Sequence, residues 1–258
     1  MYMYFVIDIG SSNVVFGVYR QDVLLHQWRV GTHIRKTRDE YLSLIQKFLI
    51  SDNINPLLFK KTVISSVVPP LTLMFQCLVQ ELTGQESYLI DHTSFPHMAI
   101  QTDFPSLVGT DRLVNALAGY QIFKSSLIIV DCGTATNFDV VSEDGSFLGG
   151  VISPGLLLSL DALIQKTSKL PGIKIEQPER VIGRNTTESL QSGIIFGYAG
   201  MVDSMIQRIN TELGYSPKVI ATGGLAKIVK AASNQIEDVI DDLTLRGLYF
   251  ISQNLDNK

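Results

Sequence analysis

The chain has 258 residues, 45% of them hydrophobic and 18% charged, with a formal net charge of −4. That length and composition suit one large globular domain or two small ones with well-formed cores. The acidic balance leaves no electrostatic footprint for nucleic acid, so no nucleic-acid partner is expected, and any phosphate must be held by local devices: backbone N–H groups, helix N-termini or a metal ion.

The first strand is expected at 3–9, an apolar run ending in Asp8-Ile9-Gly10. Asp8 interrupts the apolar N-terminus too early for a signal peptide, and no stretch reaches the roughly 18 apolar residues of a membrane span. Strands follow at 14–19 and, after a Gln21-Asp22 turn, at 23–30. The spacing of Tyr41, Leu44, Ile45, Phe48 and Leu49 predicts a helix over 38–50. A strand at 62–67 is closed by Pro69-Pro70, a helix covers 71–83, and a short strand lies at 87–90.

The second half repeats this order. Strands are expected at 127–131, 136–142 and 146–152, with Asp144-Gly145 as a hairpin turn. Helices are expected at 155–166 and 186–212, then a strand at 218–222 ending in Gly223-Gly224 and a further helix. YFVIDIGSSNVVFGVY at 4–19 and LIIVDCGTATNFDVV at 127–141 are versions of one phrase: apolar run, Asp-x-Gly, Ser/Thr/Asn turn, second β-rich run. The order βββαβα written twice is that of the actin-like, sugar-kinase-like architecture, so the fold class is α/β with two RNase H-like domains and the active site in the cleft between them. The domains are expected at 1–122 and 123–258, with the helix starting at Arg112 bridging them.

The two cysteines, Cys77 and Cys132, make no disulfide framework and fit a reducing compartment, so a cytoplasmic protein is expected. Cys132 reads as a buried filler rather than a nucleophile, because no histidine is near it in sequence. The four histidines have no zinc-ligand spacing. There is no P-loop, no dinucleotide fingerprint and no G-x-S-x-G, so a nucleotide would have to be handled by the hairpin turns.

Four segments remain as candidates. In Asp8-Ile9-Gly10-Ser11-Ser12-Asn13, Gly10 lets backbone approach a phosphate, the turn offers N–H and hydroxyl donors, and Asp8 can hold Mg²⁺. A plain hairpin explains the pattern equally well until it recurs at Asp131-Cys132-Gly133-Thr134-Ala135-Thr136. Gly109-Thr110-Asp111-Arg112 precedes an apolar helical face with Thr110 as a fair N-cap. There Asp111 either serves as a general base or merely stabilises its helix, and Arg112 can grip an anionic group in bidentate fashion. Gly183-Arg184-Asn185-Thr186-Thr187-Glu188 opens the long helix, either as a polar-ligand site or simply as a cap. Leu148 to Gly155 is glycine-rich at a strand end, where close packing or ligand contact would account for it.

The set Asp8-x-Gly10…Asn13, Gly109-x-Asp111-Arg112, Asp131-x-Gly133-Thr134-Ala135, Gly149-Gly150-x-Ile152-x-Pro154-Gly155, Asn185-Thr186, Gln191-Ser192-Gly193, Thr222-Gly223-Gly224 and Asp242-Leu243-Thr244-Leu245-x-Gly247-Leu248 resembles type III pantothenate kinase, in order, over essentially the whole chain. The resemblance implies ATP-dependent phosphorylation of pantothenate to 4′-phosphopantothenate, the first step of coenzyme A synthesis. It implies Asp111 as general base, and Gly109, Thr110, Asp111 and Arg112 as the pantothenate cradle. The turn Asp8, Ile9, Gly10, Ser11, Ser12, Asn13, Val14, Val15, with Thr134, is implied as the ATP site, with Mg²⁺. Asp131 is implied to hold a monovalent cation, K⁺ or NH₄⁺. Thr186 is implied to reach pantothenate across a homodimer, giving a composite active site. Ser11-Ser12 stands where the family usually has Asn-Thr, Asn137 where it often has Thr, and Thr102 where it tends to carry a pantothenate-contacting Tyr, a space Phe104 is expected to fill in part. Two rivals share the scaffold: a non-catalytic ATP-binding regulator, and a phosphohydrolase acting on polyphosphate. Retention of Asp8, Asp111, Arg112 and Asp131 argues against the first, and the lack of a visible basic channel against the second.

Overall fold

The computed structural model describes residues 2–167 and 170–255. Packing divides the chain into two compact units: Met1–Ala99, Asp103–Ala118 and Leu243–Lys258 form the first, and Ile100–Thr102 with Gly119–Asp242 form the second.

The first unit is built on β1 (Met3–Ile9), β2 (Asn13–Arg20), β3 (Val23–Gly31), β4 (Phe59–Ser66) and β5 (Tyr88–Leu89), in sheet order β3-β2-β1-β4-β5. β1, β2 and β3 form an antiparallel meander, while β4 and β5 run parallel to β1. The β2–β3 hairpin turns on Gln21 and Asp22, both at positive φ (50° and 63°). That conformation matches the right-handed twist of the strands and is uncommon for residues with a Cβ. Alternation along β1 sends Phe5, Ile7 and Ile9 to one face, where they meet helices α1 (Arg38–Ser51) and α2 (Pro69–Thr83) through Tyr41, Ile45, Leu49, Leu71, Phe75 and Leu78. α1 starts on a full Thr37/Glu40 capping box, and α2 starts on Pro69-Pro70, which pre-set its first turn, and ends at Gly84 in the left-handed region.

The second unit repeats the pattern with β6 (Leu127–Cys132), β7 (Ala135–Val141), β8 (Phe147–Pro154), β9 (Lys218–Thr222) and β10 (Asp238–Val239), in order β10-β9-β6-β7-β8. Read from the other edge this is the first sheet's order, so the repeated phrase in the sequence is a repeated topology. α4 (Leu156–Gln165), α5 (Thr186–Leu213) and α6 (Ala226–Ala232) belong here, and Tyr198, Val202, Ile206, Ala226 and Val229 bury one face of the sheet. α5 is capped by Asn185, which accepts from the Glu188 N–H, and ends on Gly214 in the left-handed region. Among the described residues, 166–167 and 170–185 carry no regular element, and the second stretch is tied down by Gln191 Nε2 donating to the Lys174 carbonyl at 3.0 Å.

Helix α3 (Thr110–Phe123) runs from the first unit into the second at Gly119, where a Cβ would lie 3.0 Å from both Leu127 and Ile129 methyls. The last helix, α7 (Leu243–Asn254), falls by chain order in 123–258, yet it packs on the first sheet. The physical reason is that sheet's second face: Leu245 packs by Gly17, and Tyr249 packs edge-on to Tyr4 and stacks on Tyr19 at 4.4 Å. Without α7 that apolar face would be open to water. No described helix is long and apolar enough to cross a membrane.

Candidate active site

In a parallel sheet, ligand sites form beyond the carboxyl ends of the strands. β1 and β4 end together, with Asp8 in register with Ser65. The β1–β2 connection closes with the Gly10 N–H donating to the Asn13 carbonyl at 3.0 Å, leaving Ser11 and Ser12 exposed. Thr32, just past β3, pins this turn twice: its Oγ1 donates to the Gly10 carbonyl at 2.7 Å and its N–H to the Ser12 carbonyl at 2.9 Å. Of the predicted turn residues, Ile9 and Val14 point into the core, so only their backbone can face a ligand, while Val15 is half-buried.

Ser65 joins this turn to the second candidate. It is fully buried, and its hydroxyl lies 3.0 Å from Thr110 Oγ1. Thr110 is therefore not the N-cap. Gly109 takes that place, its carbonyl accepting the first helical bond from Leu113 at 3.3 Å, and Thr110 is the first residue of α3. The Asp111 carboxylate folds back over Gly109, where a Cβ would sit 2.5 Å from Oδ1, and Oδ1 accepts the Arg112 N–H at 2.9 Å. Burial pushes the Asp111 carboxyl above the usual carboxylate range, offset only in part by that N–H bond and by the charge of Arg112. A desolvated carboxylate with a raised pKa is a stronger proton acceptor than a free one.

In the second unit Asp131 ends β6 in register with Thr222, as Asp8 is with Ser65. Gly223, at φ 93°, comes so close that a Cβ there would lie 2.7 Å from both Asp131 Oδ1 and the Cys132 carbonyl oxygen. The turn closes with the Gly133 N–H donating to the Ala135 carbonyl, and the Gly155 N–H donates to the Thr134 carbonyl, both at 3.0 Å. Beneath it, Thr136 hydrogen-bonds the Tyr198 hydroxyl. Cys132 is pushed up to about 12, first by burial and then by the Asp131 charge, so it stays a thiol and is no nucleophile. Thr134 is exposed.

Thr186 stands apart as the exposed first residue of α5, twelve positions and so about 18 Å along the helix axis before Tyr198. Gly183 packs against the first turn of α5, where a Cβ would meet Ser189 N at 2.4 Å, and Glu188 accepts the Arg184 N–H. Thr102 lies in the second unit beside Gly149, with its hydroxyl buried and lacking a hydrogen-bond partner. Phe104 belongs to the other unit and is 67% exposed, so it does not pack into a protein-lined space.

Among the described residues no three His, Cys, Asp or Glu side chains gather as a metal cage. Single carboxylates among hydroxyls and carbonyls suit hard cations that keep most of their shell from water or phosphate. Sequence reasoning missed Thr32 and Ser65, which hold the turn and α3 in place. Neither lies in a motif, and only strand pairing brings them to the site.

A family model for type III pantothenate kinase matches residues 4–208. A type III pantothenate kinase of Desulforapulum autotrophicum is 44% identical over 252 residues, 97% of this chain and 96% of its own. One from a Geobacter species is 45% identical over 251 residues, 97% of this chain and 99% of its own. Among solved structures, (R)-2-hydroxyglutaryl-CoA dehydratase component A of Acidaminococcus fermentans aligns with a TM-score of 0.57 at 14% identity, covering 99% of this chain and all of its own, which shows a shared fold. The chain belongs to the type III pantothenate kinase family.

Proposed function

We propose that this protein transfers the γ-phosphoryl group of ATP to the primary hydroxyl of pantothenate, giving 4′-phosphopantothenate for coenzyme A synthesis. The observation that carries the reading at the level of chemistry is Asp111: a buried carboxylate with a raised pKa, fixed at the start of a helix by Gly109 and the Arg112 N–H. Phosphoryl transfer needs an aligned nucleophile and neutralised charge more than covalent chemistry. Asp111 accepts the hydroxyl proton as that oxygen attacks phosphorus, and Gly109, Thr110 and Arg112 cradle the substrate, with Arg112 facing its carboxylate. The Asp8–Val15 turn and Thr134 take the triphosphate through N–H groups and hydroxyls.

Asp8 is suited to Mg²⁺, and Asp131 with the Cys132 carbonyl to a monovalent cation, K⁺ or NH₄⁺. When bound, these ions offset triphosphate charge. Thr186 reaches pantothenate held by a second protomer of a homodimer. Its exposure, its distance along α5 from Tyr198, and its exposed neighbours Val181 (69%) and Ile182 (84%) support that placement. Two free cysteines and ATP as cosubstrate fit the cytoplasm.

The test is ADP release with ATP, Mg²⁺ and pantothenate, in K⁺ and then in Na⁺. Pantothenate-dependent turnover that requires K⁺ is expected, and Asp111→Asn should lower it by ~10²–10⁴-fold, the usual worth of a general base, while nucleotide binding persists. Turnover indifferent to K⁺ removes the cation role of Asp131. Full turnover in Asp111→Asn removes the base.

A further inference from the structure

We infer that the C-terminal helix α7 is the positioning element for the base: Thr244 and Gly247 set the seat of α3, and through it the placement of Asp111. This rests on the reading of Asp111 as general base.

All the contacts lie within the first unit. Thr244 Oγ1 donates to Asn115 Oδ1 at 2.7 Å, and Asn115 is 1% exposed. Asn115 lies four residues after Asp111, on the same face of α3. One turn along α7, Gly247 lies against the α3 backbone itself: a Cβ there would be 2.4 Å from the Val114 carbonyl oxygen and 2.5 Å from its Cγ1. The Gly247 backbone thus lies against both the backbone and the side chain of Val114, and because the nearest atom is a helix carbonyl oxygen, a group added at 247 must displace α3 and not only a side chain. At its start α3 is held by the Thr110–Ser65 contact, so β4 and α7 both anchor it within the first unit.

α7 is itself fixed to the β1–β2–β3 meander. Tyr249 lies between Tyr4 and Tyr19 and accepts the Asp22 N–H at 3.0 Å, while Gln253 donates to Asp22 Oδ1 at 3.1 Å. The β1–β2 hairpin is the one whose turn carries Asp8 to Asn13. α7 therefore ties the helix of the base to the hairpin of the phosphate turn. A catalytic group displaced by about 1 Å can lose ~10²-fold in rate, so the seat of α3 sets turnover as much as stability.

The test compares kcat, both KM values and the pH profile of kcat in Thr244→Val, Thr244→Ser and Gly247→Ala, with Asp111→Asn alongside. Thr244→Val is expected to lower kcat about tenfold, leave the KM for ATP essentially unchanged, and move the acidic limb of the profile down toward the ordinary carboxylate range as Asp111 loosens toward water. Thr244→Ser, which keeps the hydroxyl, should restore both. Gly247→Ala should lose on the order of 10²-fold in kcat. If it fails to fold, Thr244→Val still decides, since it deletes one hydroxyl. Wild-type kcat and an unmoved acidic limb in Thr244→Val, whatever its Tm, overturn the inference. Full turnover in Asp111→Asn overturns instead the reading of the base.

Discussion

The two units solve one problem in two ways. In each, an aspartate ends the central strand, a short turn follows, and the residue just past the third strand of the meander donates its N–H to a turn carbonyl: Thr32 to Ser12 in the first, Gly155 to Thr134 in the second. The difference lies in what else that residue does. Thr32 adds a side-chain bond to the Gly10 carbonyl. Gly155, whose carbonyl is engaged by Ser159 at the start of α4, gives the turn no second bond but lies close against it, and a Cβ there would lie 2.3 Å from the Thr134 oxygen and 2.4 Å from the Gly133 oxygen. The first turn is tied by a hydrogen bond, which can be lost singly. The second is pressed against backbone, which has nowhere to go.

That contrast can be broken most forcefully at Gly155. Gly155→Ala forces two backbone carbonyls apart and should cost about 3 kcal/mol, the upper part of the overpacking range, read by urea denaturation, together with ATP-dependent turnover. A loss under 1 kcal/mol would show that the second turn yields as easily as the first. Gly223→Ala comes next, at about 2 kcal/mol, from the left-handed backbone and the clash with Asp131. On the proposed cation role of Asp131, it should weaken the response of turnover to K⁺ more than it weakens pantothenate binding, which a K⁺ titration of initial rates would show. Thr32→Val keeps the backbone bond and deletes one hydroxyl, so about 1 kcal/mol is expected, with a rise in KM for ATP and little change in kcat.

Much of this fold was legible because hydrophobic period and turn residues agree along the chain. The strand at 3–9, the Gln21-Asp22 and Asp144-Gly145 turns and the helix from Thr186 all form as the pattern predicts. What could not be read is what only tertiary pairing decides. The sequence places 243–254 in the second half, but nothing in its own pattern says that Tyr249 must stack on Tyr19, more than two hundred residues earlier. Thr110 has an N-cap's chemistry, yet the buried Ser65 hydroxyl claims it and the cap falls to Gly109. The repeated Asp-x-Gly phrase is visible as letters, whereas the residues that brace each copy, Thr32 and Gly155, lie in loops with unlike sequences and become comparable only once both sheets are laid out in order.

The smallest expected effect concerns the carboxylate that sets the first unit apart. Asp8 and Asp131 are counterparts at the ends of β1 and β6, whereas α7, the helix that follows β10 as α3 follows β5, has Thr244 where α3 has Asp111 at its second position. Burial raises the Asp111 carboxyl above its usual value, so the folded protein holds that proton more tightly than the unfolded chain. Stability from this group is therefore fully present below the ordinary carboxylate pKa and is lost as pH rises through the raised one. At neutral pH the ionised, desolvated carboxylate works against folding. Asp111→Asn should accordingly raise Tm at neutral pH while removing turnover, and the gain should vanish when melting is repeated in acid, below the ordinary carboxylate range. A Tm gain independent of pH would show that the amide packs better for reasons unrelated to charge. A Tm loss at neutral pH would show that the charge interaction with Arg112 outweighs desolvation, and that Asp111 is held as a structural anion rather than kept poised as a base.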